Sequence, residues 1–477
     1  MWRCLWRFVA GGFSERVLVT NMAGKKTFRV GRVRGDLRGK VWYLIYHEEG
    51  VRHRPRVGPS HEEAKQLAAQ IHAQLEAGAT AALSFESLTI EELRSRWLDH
   101  NEQVLRSSLQ TINRYRTATD HLLRFIRQSR GAGTTSGLKT MHAEQFVRYL
   151  RTVQVAPNGH PNSQKRPLLD KGIKYILQGC RTLFHFAIKR RYLSAYAENP
   201  FSALELDRMP VETVRPVTIF SSDDERRFLE ACDDWQFPLF LTLMLTGMRP
   251  GELCQLLLPD DLDLQNAIVH VRNKPELGWQ VKTRNERSIP LIRPLVEILT
   301  IMLAGRQSGQ VFVRRTFLPR IREEHDGKAS NMNDLVRRAN ARLAEARLVN
   351  NQELSRAKKQ SIIRTVWRDL GVLKTDRIRN EFIRLTKQIG CPAMTAPKAL
   401  RHLFATCLQE GNVDPLIRCE LMGHSISTHQ SASHGLGMTA TYTQTRLETK
   451  RTQLEAAMDN RPATIFARQW IESRSSC

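Results

Sequence analysis

The stretch Leu239 to Leu256, LFLTLMLTGMRPGELCQL, decides how the C-terminal half of the chain is read. Leu239 to Leu245 form an apolar helix that must be buried. Thr246-Gly247 stops it, since glycine accepts the backbone that ends a helix. Pro250 then suits the first turn of a second helix, and Glu252 suits that helix's positive N-terminal end. Arg249 lies at the junction between the two helices. A guanidinium held there can grip a phosphate with its planar fork. The competing reading is a surface arginine that follows a helix cap.

Composition narrows the partner. The chain has 477 residues, with 41% hydrophobic and 25% charged and a mean hydropathy of −0.41. That length suits two to four domains. The longest apolar run, Phe237 to Leu245, contains Pro238 and Thr242 and is too short to span a bilayer. The net charge of +25 and a pI near 10.2 cost self-repulsion unless a polyanion neutralises them, so nucleic acid leads as partner. An ordinary basic protein or a membrane-surface binder is the alternative.

The eight cysteines are scattered and form no C-x-x-C pair, which leaves a zinc site unsupported. So long a chain without a secretory signal also argues against a disulfide framework and fits a reducing cytoplasm. Residues 1–24 read as a disordered leader, or as a start placed upstream of the true one at Met22.

Residues 25–80 have strand-like alternation. Val41, Tyr43 and Ile45 interleave with Trp42, Leu44 and Tyr46, and many arginines surround them. A helix follows, with Ser60 and Glu63 as its capping box and Gly78 as its stop. A basic three-stranded sheet plus one helix can lie in a DNA groove; solvated arginines on a small sheet read as well. Residues 85–203 read as four short helices, the first capped by Thr89 and Glu92, with Asn199-Pro200 closing the bundle. Their basic faces suit either a duplex backbone or solvent. Residues 204–217 read as the body of a linker whose aperiodic character begins at Phe201. From 218 to about 459 the chain is mostly helical. Short strands are expected at Ile268 to Val271, Trp279 to Lys282 and Ser288 to Leu291, and a tail at 460–477.

Three further pieces carry chemistry. In ALRHLFAT, Ala399 to Thr406, Leu400, Leu403 and Phe404 make a buried stripe that Arg401 does not share. Its charge needs an anion, whether a substrate or a structural carboxylate. In LMGHS, Leu421 to Ser425, Gly423 ends a helix and presents His424. In TATYTQT, Tyr442 is the single tyrosine after Tyr196, so a tyrosine nucleophile in this region has one candidate.

Taken in order, TGMRPGEL, VKTRNERSIPL (Val281 to Leu291), ALRHLFAT, LMGHS and TATYTQ resemble the boxes of the tyrosine recombinase, or phage integrase, family. The likeness runs from about Ser87 to Met458, and more loosely to the N-terminal sheet. It implies a mainly α fold with small β sheets (α+β). The expected order is an arm-type β-sheet domain, a helical SAM-like core-binding domain and an integrase-type catalytic domain. By the same resemblance Arg249 and Arg401 clamp the scissile phosphate and Lys282 protonates the departing 5′-oxygen. His424 lies near the phosphate, and Tyr442 forms a 3′-phosphotyrosyl link. Glu252 would orient an arginine, and His402 would support the site. Strand exchange through a Holliday junction is implied, with double-stranded DNA and a tetramer of the chain as partners, together with DNA-bending accessory proteins. No cofactor or metal is implied, because arginines supply the positive charge. Consistently, no G-x-x-x-x-G-K-[ST] loop is present. Such a protein is expected in the cytoplasm, on the nucleoid.

Two features depart from the family pattern. Lys398 stands where a histidine is usual, and lysine donates to a phosphate but is a poor base at neutral pH. Two spacings are long: an extra loop, Thr428 to Gly437, precedes Tyr442, and basic helical stretches fill Asn333 to Leu370, facing either DNA or solvent. The competing functions are a catalytically decayed DNA-binding protein and a type IB topoisomerase-like enzyme.

Overall fold

The computed structural model describes residues 26–79, 81, 83, 85–129, 132–156, 162–194, 197–210, 212, 218–319, 331–424 and 445–475. The chain divides into two compact units, Met1–Val214 and Arg215–Cys477. The described residues are mainly helical with small antiparallel sheets, as the sequence implies.

The first unit opens with strands β1 (Thr27–Val30), β2 (Val33–Arg38), β3 (Val41–Glu48), β4 (Val51–His53) and β5 (Arg56–Gly58). They pair in the order β1-β2-β3-β4, with β5 also on β3. The sheet therefore has five strands where three were expected. β4 and β5 have only three residues each, too few to show a period in sequence. Trp42, Leu44 and Tyr46 share the inward face of β3 and meet Ala64, Ala68 and Ile71 of helix α1 (His61–Glu76). Ser60 caps that helix by accepting the Glu63 N–H.

A separate core joins α2 (Ile90–Asp99), α3 (Leu109–Gln128), α4 (Thr140–Thr152) and α5 (Asp170–Lys189) around Trp97, Leu122, Phe146, Leu177 and Phe184. The Thr89–Glu92 capping box forms as expected, and strands β6 (Gln154–Val155) and β7 (Arg166–Pro167) pair antiparallel between α4 and α5. Phe201 and Leu206 are buried in this core, so the aperiodic stretch read as a linker begins inside the helical body. Apolar side chains without a helical period still find a core to enter.

In the second unit, α6 (Ser222–Glu230) precedes α7 (Gln236–Thr246), which is buried along its whole length. A short helix, α8 (Pro250–Leu253), and α9 (Arg293–Leu303) bracket a small sheet. Its strands β9 (Leu262–Asp263), β10 (Ile268–Val271) and β11 (Arg287–Pro290) are antiparallel, while β8 (Leu257–Leu258) pairs with β12 (Gly309–Gln310). The strand expected over Trp279 to Lys282 does not form. Pro275–Leu277 make a tight turn, Gly278 takes a φ of 65°, and only Trp279 bridges back, to Lys274.

Helices α10 (Met332–Asn350) and α11 (Arg356–Asp369) follow, then α12 (Thr375–Gln388), α13 (Lys398–Glu410), α14 (Pro415–Met422) and α15 (Leu447–Met458). The stretch read as a C-terminal tail is instead helix α16 (Pro462–Ser475). Ala463 and Ala467 are buried, Phe466 meets Phe237 of α7 edge-on, and Trp470 stacks on the same ring. Their spacing is that of one helical face, a signal the short tail length had masked. No described helix is long and apolar enough to cross a membrane.

Candidate active site

The site forms where α7 and α14 end and α8 begins. Gly247 closes α7 with a φ of 59°, and a Cβ there would collide with the Phe404 ring of α13. Gly423 closes α14 with a φ of 61°, and a Cβ there would press on the Arg287 guanidinium. Both glycines meet a backbone and a space requirement that other residues fail.

Arg401 projects from α13 between these helix ends. Its Nη1 donates to the Gly247 carbonyl at 2.6 Å, and its Nη2 donates to the Met422 carbonyl. The same nitrogen lies 3.4 Å from Nε2 of His424. Arg401 is only 9% exposed, and among the described residues it forms no ion pair with a carboxylate. Burial, and then the charge of Arg249, pull its pKa down to about 10. It is still a cation at neutral pH, held by carbonyl dipoles.

Arg249 begins α8 and is tied to Glu252. The Glu252 carboxylate accepts the Arg249 N–H at 2.9 Å and its Nη1 at 2.7 Å. Arg287, on β11, donates to the same carboxylate through Nη2 at 2.6 Å and to the Leu421 carbonyl through Nε at 2.9 Å. Burial pushes the Glu252 carboxyl up, but the hydrogen bonds and charges of the two arginines outweigh it and hold the group below the usual carboxylate range. Two guanidiniums thus share one carboxylate. His424 is shifted down, first by burial and then by Arg401, Arg249 and Arg287, which favours neutral imidazole.

Arg249, Arg401 and His424 therefore lie in one cluster, with Glu252 as the brace the resemblance implied. Lys282 is exposed in the turn between β10 and β11. Its neighbour Thr283 donates to the Gly423 carbonyl at 3.3 Å, one residue before His424. Lys398 is the exposed first residue of α13. Among the described residues neither lysine hydrogen-bonds to the cluster. The His402 pKa is lowered by burial, then by Lys398 and Arg401, and its buried Nε2 has no hydrogen-bond partner among the described residues. Tyr442 and the loop Thr428 to Gly437 lie outside the described residues.

The sequence reading missed Arg287. Its signal was present: Arg287 shares a strand face with the fully buried Ile289, and a charge at an inward position requires a partner.

Residues 219–434 match the phage integrase family. A protein of Escherichia coli strain K12, IntQ, whose name marks it as defective, is 28% identical over 221 residues, 45% of this chain. The chain spans about half the length (52%) of that curated relative. Among solved structures, the Tn1549 transposon integrase in complex with circular intermediate DNA is 18% identical, with 77% of this chain and 99% of that chain covered and a TM-score of 0.46. A lambda integrase tetramer bound to a Holliday junction is 16% identical, with 82% and 97% covered and a TM-score of 0.44.

Proposed function

We propose, from the premise that this chain belongs to the tyrosine recombinase (phage integrase) family through residues 219–434, that it is a site-specific DNA recombinase. The observation that supports this best is Arg401. A buried guanidinium with carbonyls around it and no carboxylate of its own is completed by an anion. A phosphodiester oxygen supplies that anion, with Arg249 and His424 beside it.

The Tyr442 hydroxyl oxygen attacks phosphorus as its proton passes to water, and the bond from phosphorus to the 5′-oxygen breaks. Lys282 gives its proton to that leaving oxygen. A 3′-phosphotyrosyl ester stores the bond energy, so no ATP is needed. The 5′-hydroxyl of a partner strand then attacks the ester, returns its proton to Lys282, and releases Tyr442, which takes a proton back from water. Two such exchanges make and resolve a Holliday junction, with four copies of the chain on double-stranded DNA. Negative charge grows on the non-bridging oxygens in each step. Preorganised donors facing them are worth on the order of 3 kcal/mol each. Lys398 serves as a further phosphate contact. The work is done on the nucleoid in the cytoplasm, with bending proteins as accessory partners.

The test is a nicked duplex whose short downstream strand diffuses away once cut, which traps the intermediate. DNA should become covalently attached by its 3′ end to the chain, and Tyr442→Phe should abolish the attachment. An adduct that survives in the Phe variant contradicts the assignment. Binding without any adduct favours a decayed DNA-binding protein, a reading that IntQ's name raises. Relaxation of supercoils without site dependence favours topoisomerase-like chemistry.

A further inference from the structure

The helices α10 and α11 do not belong to the cluster around Arg401, yet they pack on the turn that leads to Lys282. Leu335 and Ala339 of α10 and Ile363, Val366 and Trp367 of α11 form a small core with Leu257 and Leu277. Leu277 is the last residue of the Pro275–Leu277 turn. The Trp367 Nε1–H donates to the Leu277 carbonyl at 3.0 Å, in a bond that is itself buried. The Gln360 Nε2–H donates to the Gly278 carbonyl at 2.9 Å, and a Cβ at Gly278 would strike the Gln360 amide. Consecutive carbonyls of one turn are therefore held by two side chains about two turns apart on one helix.

The fixation continues toward Lys282. Lys274 and Trp279 exchange both backbone hydrogen bonds at 3.0 Å, which closes the turn. The Lys274 Nζ pairs with Asp261 at 2.8 Å, with both side chains at most 2% exposed. Asn273 next accepts the Val281 N–H at 2.9 Å and donates to the Arg284 carbonyl at 3.0 Å. These bonds bracket Lys282 on both sides while its own side chain stays exposed. A long flexible ammonium on an unsupported turn would sample many positions; a turn gripped at both ends narrows them.

We infer that the α10–α11 pair is a clamp that positions Lys282 for proton delivery, with Gln360 and Trp367 as its positioning residues. This rests on the acid role of Lys282 proposed above. Misplacing a reacting group by about 1 Å costs up to about 100-fold in rate, so loss of either bond should slow cleavage without removing the acid.

The experiment uses the full chain and nicked duplexes whose sequence the chain has selected from a random pool. One duplex carries the ordinary 5′-oxygen at the scissile position, and the other carries sulfur there. A thiol has a pKa of about 8.5, so sulfur departs as thiolate without an acid. On the oxygen duplex, Lys282→Ala should slow single-turnover cleavage by about 10²- to 10⁴-fold. Trp367→Phe, which keeps most of the ring, and Gln360→Ala should each slow it by about 10- to 100-fold. On the sulfur duplex all three should cleave at the rate of the unaltered chain. If Lys282→Ala is restored by sulfur but the clamp variants are not, the clamp acts on general folding and the inference fails alone. Clamp variants that cleave the oxygen duplex at full rate overturn it as well. If sulfur does not restore Lys282→Ala, the acid role of Lys282 fails and the clamp fails with it.

Discussion

Arginines on the N-terminal sheet and arginines at the ends of α7 and α14 have the same charge and opposite surroundings. Arg38, Arg52 and Arg56, with Lys40 in the turn between β2 and β3, are exposed, and among the described residues their side chains have no hydrogen-bond or ion-pair partner. Arg287 and Arg401 are withdrawn from water and fixed by a carboxylate and by backbone carbonyls. The difference separates two tasks. An exposed cation attracts a polyanion from any direction and is screened by salt. A buried cation has already lost its water and its rotamers, so it can fix one phosphate in one geometry. Sequence shows both as the letter R; burial assigns the task.

The largest way to break the comparison is Glu252→Ala. It leaves Arg249 and Arg287 without their shared carboxylate, and loss of one partner from a buried pair costs about 3–5 kcal/mol. Urea unfolding should show that loss. A change no larger than for a surface glutamate would mean the guanidiniums are not held as described.

Titration of the site should have a smaller effect. The folded pKa of His424 is lowered from an ordinary value of 6.5. Between the lowered value and 6.5 the unfolded chain binds a proton that the folded chain does not. The stability is therefore fully present above about 6.5 and is lost as pH falls through that window. His121, His270 and His402 are lowered too, so the informative curve is the difference from His424→Gln. That variant should lose less stability on acidification, measured as Tm against pH. A steeper loss would put the sign of the shift in error.

The smallest effect is expected at the sheet. Arg38→Ala or Lys40→Ala should weaken DNA binding alike on all sequences and reduce the salt slope by about 1. Cleavage of the bound complex should keep its rate. A slower chemical step in either variant would erase the distinction between attracting and fixing.

Much of this was legible beforehand. The apolar run before Gly247 had to be buried, and Arg249, Arg401 and His424 each sit beside a helix end or stripe that can be read from spacing. What sequence withheld was pairing across distance. Arg287 lies 35 residues from Glu252, and the bond between them appears only when β11 folds against α8. The alternative of a structural salt bridge for Arg401 stayed open until its partners proved to be carbonyls. The 279–282 stretch has strand-like residues, but the Lys274 backbone and the Asn273 side chain take up its backbone groups instead. Helix α16 shows the opposite failure: its apolar period was visible, but a short terminal segment was read as a tail.

The central claim is that Arg401 fixes a phosphate for reaction and does not merely attract DNA. The measurement is Arg401→Lys, which keeps the charge but loses the planar fork, assayed for affinity and single-turnover cleavage on one nicked duplex. Cleavage should fall by about 10²- to 10³-fold, while affinity should stay within about threefold, since the other phosphate contacts remain. Unchanged cleavage, or a loss that vanishes once the DNA is saturating, would contradict the claim.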